Sequence, residues 1–250
     1  MKTSLKTLSA LSLAVLLGSG AAIAQEHGGN GHGDNGHGGM GPGYGQGGYG
    51  ENMATIEQLG TRHDASIEQD GRELMASIEQ SGYMQEADIE QRGRGGSTVI
   101  EQTGGWNEVN VDRRGRNGTM TIIQEDWENT ADIRQRGRNG SIEVTQEDWS
   151  NYANIDQRGR GNELALYQSG WGDNAAWLEQ RGRENIMDVA QDDAWQSEVY
   201  VDQRGRENMA MVEQTGAYHE ASVTQRDRGN ITMVAQSGVG HDASINQSAR

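Results

Sequence analysis

An eleven-residue unit returns without interruption from Asn52 to Arg250, and it constrains the fold of this chain more than any other feature. It is cleanest at Ala54-Thr-Ile-Glu-Gln58-Leu-Gly60, Ala65-Ser-Ile-Glu-Gln69-Asp-Gly71 and Ala76-Ser-Ile-Glu-Gln80-Ser-Gly82. With the glutamine as anchor, the units fall at Gln58, Gln69, Gln80, Gln91, Gln102, Arg113, Gln124, Gln135, Gln146, Gln157, Gln168, Gln180, Gln191, Gln203, Gln214, Gln225, Gln236 and Gln247. Seventeen of the eighteen anchors are Gln, and two steps are twelve residues long. An Ile, Val or Leu always stands two residues before the anchor. Two residues after it stand thirteen Gly, four Asp and one Ala.

Eleven residues is also the period of a right-handed coiled coil. That reading fails, because a Gly in nearly every unit would cost about 1 kcal/mol in a helix interior. The unit core, small-x-aliphatic-x-Gln, also alternates with the period of a strand. Each unit is therefore expected to be a strand of about six residues followed by a tight turn. The residues six, four and two before the anchor, and the anchor itself, share the inward face. Asn frequently takes the first of these positions, at Asn52, Asn107, Asn129, Asn151, Asn162, Asn174, Asn185, Asn208 and Asn230. His63, His219 and His241 take it elsewhere and read as inward hydrogen-bonding surrogates rather than metal ligands.

Alternate units differ. A basic turn follows even-numbered anchors: Arg92/Arg94, Arg114/Arg116, Arg136/Arg138, Arg158/Arg160, Arg181/Arg183, Arg204/Arg206 and Arg226/Arg228. An aromatic follows odd ones: Tyr83, Trp106, Trp127, Trp149, Trp171, Trp195 and Tyr218. The true repeat is thus 22 residues, strand-turn-strand-turn, nine times over. Odd strands stack into one parallel sheet and even strands into another, so the expected fold is all-β, a two-sheet parallel β-solenoid. Identical Asn and Gln side chains form amide ladders along its axis. The last unit runs out at Gln247-Ser-Ala-Arg250 without a capping segment, which leaves open strand edges to recruit another copy.

Composition fits this form. With 37 Gly, one Pro, no Phe and 33% hydrophobic residues, a compact core would be starved, whereas stacked coils bury one another. The absence of Cys excludes disulfides and thiolate metal sites, and no cofactor is implied. A formal charge of −16 argues against nucleic acid as a partner.

Residues 1–24 read as a secretory signal: Lys2 and Lys6, an apolar run from Leu8 to Leu17, and a small-x-small site at Ala22-Ile23-Ala24. Residues 25–51 are rich in Gly and His and read as a flexible leader or recognition segment. The repeat domain is 52–250.

The pattern Asn-x-Ala-x-Ile-x-Gln-x-Gly, complete at Asn151-Tyr-Ala-Asn-Ile155-Asp-Gln157-Arg-Gly159, resembles the curlin repeat of curli subunits. The resemblance covers 52–250 by repeat and 1–51 by layout. It implies a secreted bacterial protein that polymerises into extracellular amyloid fibres of biofilm matrix, with the Gln and Asn ladders driving assembly. It further implies a nucleating curli subunit and an outer-membrane secretion pore as partners, the pore reading 25–51. The aromatic edge reads first as loop packing and lateral fibril contact, with matrix polysaccharide as its alternative partner. The alternatives are a nucleator-type minor subunit and a monomeric solenoid adhesin or carbohydrate-binding protein; a β-helix polysaccharide-degrading enzyme is disfavoured because every turn here is short and repeated. Glu57, Glu68, Glu79, Glu90, Asp112, Asp156 and Glu179 lie just before anchors and point outward as a solvated face.

Overall fold

The computed structural model describes residues 50–248. The expected signal at 1–24 and nearly all of the 25–51 segment lie outside these described residues. The strands are β1 (Met53–Thr61), β2 (Asp64–Tyr83), β3 (Glu86–Gly105), β4 (Glu108–Gln124), β5 (Thr130–Arg138), β6 (Ser141–Gln146), β7 (Tyr152–Arg160), β8 (Glu163–Gln168), β9 (Ala175–Arg183), β10 (Ile186–Trp195), β11 (Glu198–Arg206), β12 (Met209–Ala217), β13 (Glu220–Arg228), β14 (Ile231–Val239) and β15 (Asp242–Ser248). Every pairing is parallel and joins equivalent residues one coil apart, as in Gln58↔Gln80, Ile133↔Ile155 and Gln203↔Gln225. One stack holds β1, the second halves of β2, β3 and β4, then β6, β8, β10, β12 and β14. The other holds the first halves of β2, β3 and β4, then β5, β7, β9, β11, β13 and β15. The protein is a parallel β-solenoid of nine coils.

The strands are longer than the sequence suggests, because the Arg-Gly-Arg segments do not leave the ladder. β2, β3 and β4 run through them into the opposite layer, over 17 to 20 residues. Glycine makes this arc. The glycines of this column have φ between +127° and +147°, so the chain bends while Gly93↔Gly115 and Gly137↔Gly159 stay paired. A second bend, four residues after the anchor, takes ordinary left-handed φ values of 52° to 62° at residues as different as Arg62, Asn117 and Trp106. Both twelve-residue steps fall in the aromatic arcs, one of them as a register shift between Asp192 and Trp195.

Burial alternates along each strand, and the buried aliphatics form one continuous cluster from Ile78 to Val234. Their spacing is the inward pattern of the repeat. Only the end coils depart from it: Ile56 in β1 is 40% exposed because no described strand covers it.

Candidate self-assembly ladders and end faces

Anchor side chains point inward near the arcs, where each amide nitrogen makes two kinds of bond. One goes to a carbonyl of the facing layer, as from Gln102 to Glu86 O at 3.1 Å and from Gln146 to Thr130 O at 3.1 Å. The other goes to the amide oxygen of the next coil. In the odd column Gln58, Gln80, Gln102, Gln124, Gln146, Gln168, Gln191, Gln214 and Gln236 are joined this way by unbroken bonds of 2.8–3.0 Å. These amides satisfy one another where an orphaned one would cost about 1–3 kcal/mol.

The even column is interrupted. Gln69 donates to Gln91 at 3.2 Å, but Gln91 turns aside to the Thr98 hydroxyl. Arg113 follows, then the amides resume from Gln135 through Gln157, Gln180, Gln203 and Gln225 to Gln247. Arg113 is 2% exposed; its Nε donates to Gln135 Oε1 at 3.2 Å and its Nη2 to Gly95 O at 3.0 Å. Nη1 has no partner, and burial pushes the guanidinium below the ordinary arginine pKa. Room for it comes from the facing strands. A Cβ on Gly96 would lie 1.7 Å from Nη2, and one on Gly118 would lie 2.4 Å from Gln135 Oε1. The loss of Asn at these odd-strand positions is thus the counterpart of the large side chain at anchor 113.

The Asn position performs a different task. Its Nδ2 donates four residues back across the arc, from Asn107 to Thr103 O, Asn129 to Glu125 O and Asn151 to Glu147 O, at 2.6–2.7 Å. Its Oδ1 accepts the backbone N–H of the equivalent residue one coil on, from Asn129 to Asn107 and from Asn151 to Asn129, both at 3.0 Å. Asn162, Asn185, Asn208 and Asn230 repeat the pattern in the odd layer. His219 mimics it: Nε2 faces Thr215 O at 3.1 Å and Nδ1 accepts from His241 N at 3.3 Å, which assigns the proton to Nε2. The two rings stack at 5.3 Å and 4°.

The glutamine columns run one way and the asparagine columns the other, since each Asn Oδ1 accepts from the next higher coil. Every anchor amide donates toward the higher-numbered coil, so the oxygens of Gln58 and Gln69 accept nothing among the described residues. β1 and the first half of β2 have one open edge, and so do β14 and β15 at the other end. In the glutamine columns one end face therefore offers amide acceptors and the other offers donors on the same lattice, and the asparagine columns add the opposite pattern.

Two stretches at opposite ends of the repeat region, residues 51–82 and 197–226, match the family model of the curlin associated repeat. The repeats of these stretches are similar to the curlin associated repeat. The matched stretches contain units 1 to 3 and 14 to 16, and the units between them hold the same register. No curated protein matches the chain. Curlin-repeat proteins are structural rather than enzymatic. Among the described residues no three His, Asp or Glu side chains converge to hold a metal ion.

The aromatic edge of this solenoid is not the single column expected from the sequence. Tyr83, Trp127, Trp149 and Trp171 lie three residues after their anchors, whereas Trp106, Trp195 and Tyr218 lie four after theirs. The edge is broken into pairs: Tyr83 with Trp106 edge-on at 6.1 Å, Trp127 with Trp149 stacked at 6.1 Å, and Trp195 with Tyr218 tilted at 5.5 Å. Trp171 stands apart, 77% exposed. A longer aromatic run lies on the outer face of the even layer, where Tyr152, Trp177 and Tyr200 contact one another at 5.9 and 4.4 Å. Sequence reasoning missed it, although Trp177 and Tyr200 both stand three residues before an anchor.

The basic edge also divides. The first Arg of each turn folds back onto a carboxylate just before an anchor: Arg92 on Glu90, Arg114 and Arg136 on Asp112, Arg158 on Asp156, Arg181 on Glu179 and Arg204 on Asp202. Of the second Arg column, Arg94 pairs with Glu73 at 3.4 Å and Arg228 with Glu207 at 3.0 Å. Arg116, Arg138, Arg160, Arg183 and Arg206 are exposed, and none is within ion-pair distance of a described carboxylate.

Near the other edge, carboxylates crowd one another. Burial first, then Glu79 and Glu125, holds Glu101 above the usual carboxylate range; burial, then Glu147 and Asp126, does the same for Glu125. In this window the folded chain binds more protons than the unfolded one, so stability falls as pH rises. We expect the urea midpoint of the monomer to climb as pH drops from 7 toward the ordinary Glu value of about 4.3. Glu101→Gln with Glu125→Gln should be more stable than the parent at pH 7 and lose most of that climb. An identical pH profile in the double variant would refute the assignment.

Proposed function

We propose that the chain is the repeating subunit of an extracellular fibre, in which copies stack head to tail and continue the solenoid across each junction. The observation that carries this reading is the complementarity of the two end faces. Open parallel edges, unidirectional amide columns and matching inward residues make the faces heterologous, and a heterologous contact without rotation to a closed ring grows as a filament. In the register of the repeat, β14 would receive β1 of the next copy, setting Gln236 beside Gln58. β15 would receive the first half of β2, setting Gln247 beside Gln69. The ladder residues thus act as templates at the ends and as internal closure elsewhere. Residues 1–24 and 25–51 fit this role as export signal and secretion address, and a nucleating subunit and a secretion pore are the partners the role requires.

Seeded growth tests it. Gln58→Ala and Gln247→Ala should each slow elongation about five-fold, the equivalent of one net hydrogen bond of about 1 kcal/mol. Gln146→Ala, whose partners lie within one molecule, should lower monomer stability while leaving elongation within two-fold of the parent, roughly the scatter of a neutral site. Equal elongation rates for all three variants would contradict the templating role.

A further inference from the structure

The two arcs of a coil lie at opposite ends of its cross-section, and over the four middle coils, those of Gln124, Gln146, Gln168 and Gln191, they carry opposite charge. On one edge Arg116, Arg138, Arg160, Arg183 and Arg206 follow one another at the strand spacing of about 4.8 Å without a carboxylate partner. Adjacent like charges at this spacing repel one another even in water. On the other edge Glu125, Asp126, Glu128 and Asp193 are exposed, and none forms an ion pair within the described residues. Both edges are thus left uncompensated in one copy. Their shapes differ as well. Arg94, Arg116 and Arg138 line an open groove of about 530 Å³ floored by Gly93, Gly115 and Gly137. The acidic edge is a ridge from which Trp127, Trp149 and Trp171 project with 37%, 46% and 77% of their surface exposed.

We propose that solenoids associate edge to edge, the arginine groove of one copy receiving the acidic and tryptophan ridge of a second. This gives ribbons one solenoid thick. The proposal rests on the fibre reading for the length of the ribbon and adds its lateral contact. Arginine suits the groove because its planar guanidinium pairs with carboxylate in a fork and lies over an indole face. The second copy is favoured over a linear polyanion by periodicity. Two solenoids share one axial repeat, so successive arginines meet the acids of the four acidic coils in step, whereas a polymer with its own repeat drifts out of step. The contact is heterologous and leaves a free edge of each kind, so it propagates.

Two variants test this. The first carries Arg116→Gln, Arg138→Gln, Arg160→Gln and Arg183→Gln; the second carries Glu125→Gln, Asp126→Asn, Glu128→Gln and Asp193→Asn. Electron microscopy of parent filaments should show ribbons that split into single filaments as salt shortens the screening length from about 10 Å at 0.1 M to about 3 Å at 1 M. Each variant alone should give single filaments at low salt. Mixed preformed filaments of the two variants should give ribbons two filaments wide and no wider, since each retains one competent edge. Unchanged ribbon widths in both variants would overturn the proposal. So would ribbons lost only in the arginine variant, the result expected if the groove serves a polyanion. If the parent formed no filaments, the fibre reading would fail instead. Edge pairing would then be judged by sedimentation of mixed variant monomers, where salt-sensitive heterodimers uphold it and their absence overturns it.

Discussion

Gly137→Ala should unfold the middle of the solenoid, lowering stability by about 3 kcal/mol or more, whereas Gly229→Ala should cost under about 1 kcal/mol. Both positions are glycines in basic arcs with positive φ, so conformational preference alone does not separate them. At Gly137 φ is +145° and an added Cβ would lie 1.9 Å from the Gly159 carbonyl of the next coil. That oxygen belongs to backbone paired on both sides, so it has nowhere to go. At Gly229 φ is +71°, a region other residues occupy in these arcs, and nothing lies within 4 Å. Guanidinium unfolding of the monomeric variants checks the pair. Equal destabilisation would mean that close stacking of the arcs is not what glycine serves.

Arg113→Gln is expected to stabilise the protein by about 1–4 kcal/mol, an unusual outcome for a buried site. The native guanidinium is desolvated, holds one unpartnered N–H, and interrupts an amide column that is otherwise continuous. Glutamine would offer Gln91 an acceptor and pass a donor on to Gln135, completing nine amides in file. Hydrogen exchange gives an independent check, since amides of β3 and the first half of β4 should open more readily than those of β7 and lose that difference in the variant. A destabilised Arg113→Gln protein would show that the cation supports the coil instead of straining it.

Most of the architecture was legible because the repeat is long and its period is two. Ile78, Ile100 and Ile122 had to share a face with Gln80, Gln102 and Gln124, and the 22-residue alternation set the register of both layers. What stayed hidden depended on contacts between columns. Gly96 and Gly118 read as lapses from Asn until Arg113 was seen lying across them from the opposite layer. Arg92 and Arg94 look alike in sequence, yet Gly93 between them turns one toward Glu90 and the other toward Glu73. The aromatic edge failed for a similar reason. A one-residue offset after the anchor, trivial in sequence, separates Trp106 from the column of Trp127 and Trp149. The strands exceed the six residues that the sequence suggests because a glycine that reads as the end of a ladder carries it round the arc at positive φ.

The central claim is that one end face receives the other in the register of the repeat, and a cysteine-free chain allows a direct test. Thr55 in β1 and Met233 in β14 are outward residues at equivalent positions of their units, three before Gln58 and Gln236. Stacked head to tail, their Cα atoms would lie about 4.8 Å apart, within the 4.4–6.8 Å that a disulfide spans. Fibres grown from an equal mixture of Thr55→Cys and Met233→Cys proteins are oxidised and the cross-linked species identified by mass spectrometry. The account predicts disulfides between position 55 of one chain and position 233 of another, with neither like-with-like pair formed along the filament. Predominant 55–55 and 233–233 links, or fibres that do not cross-link at all, would contradict it.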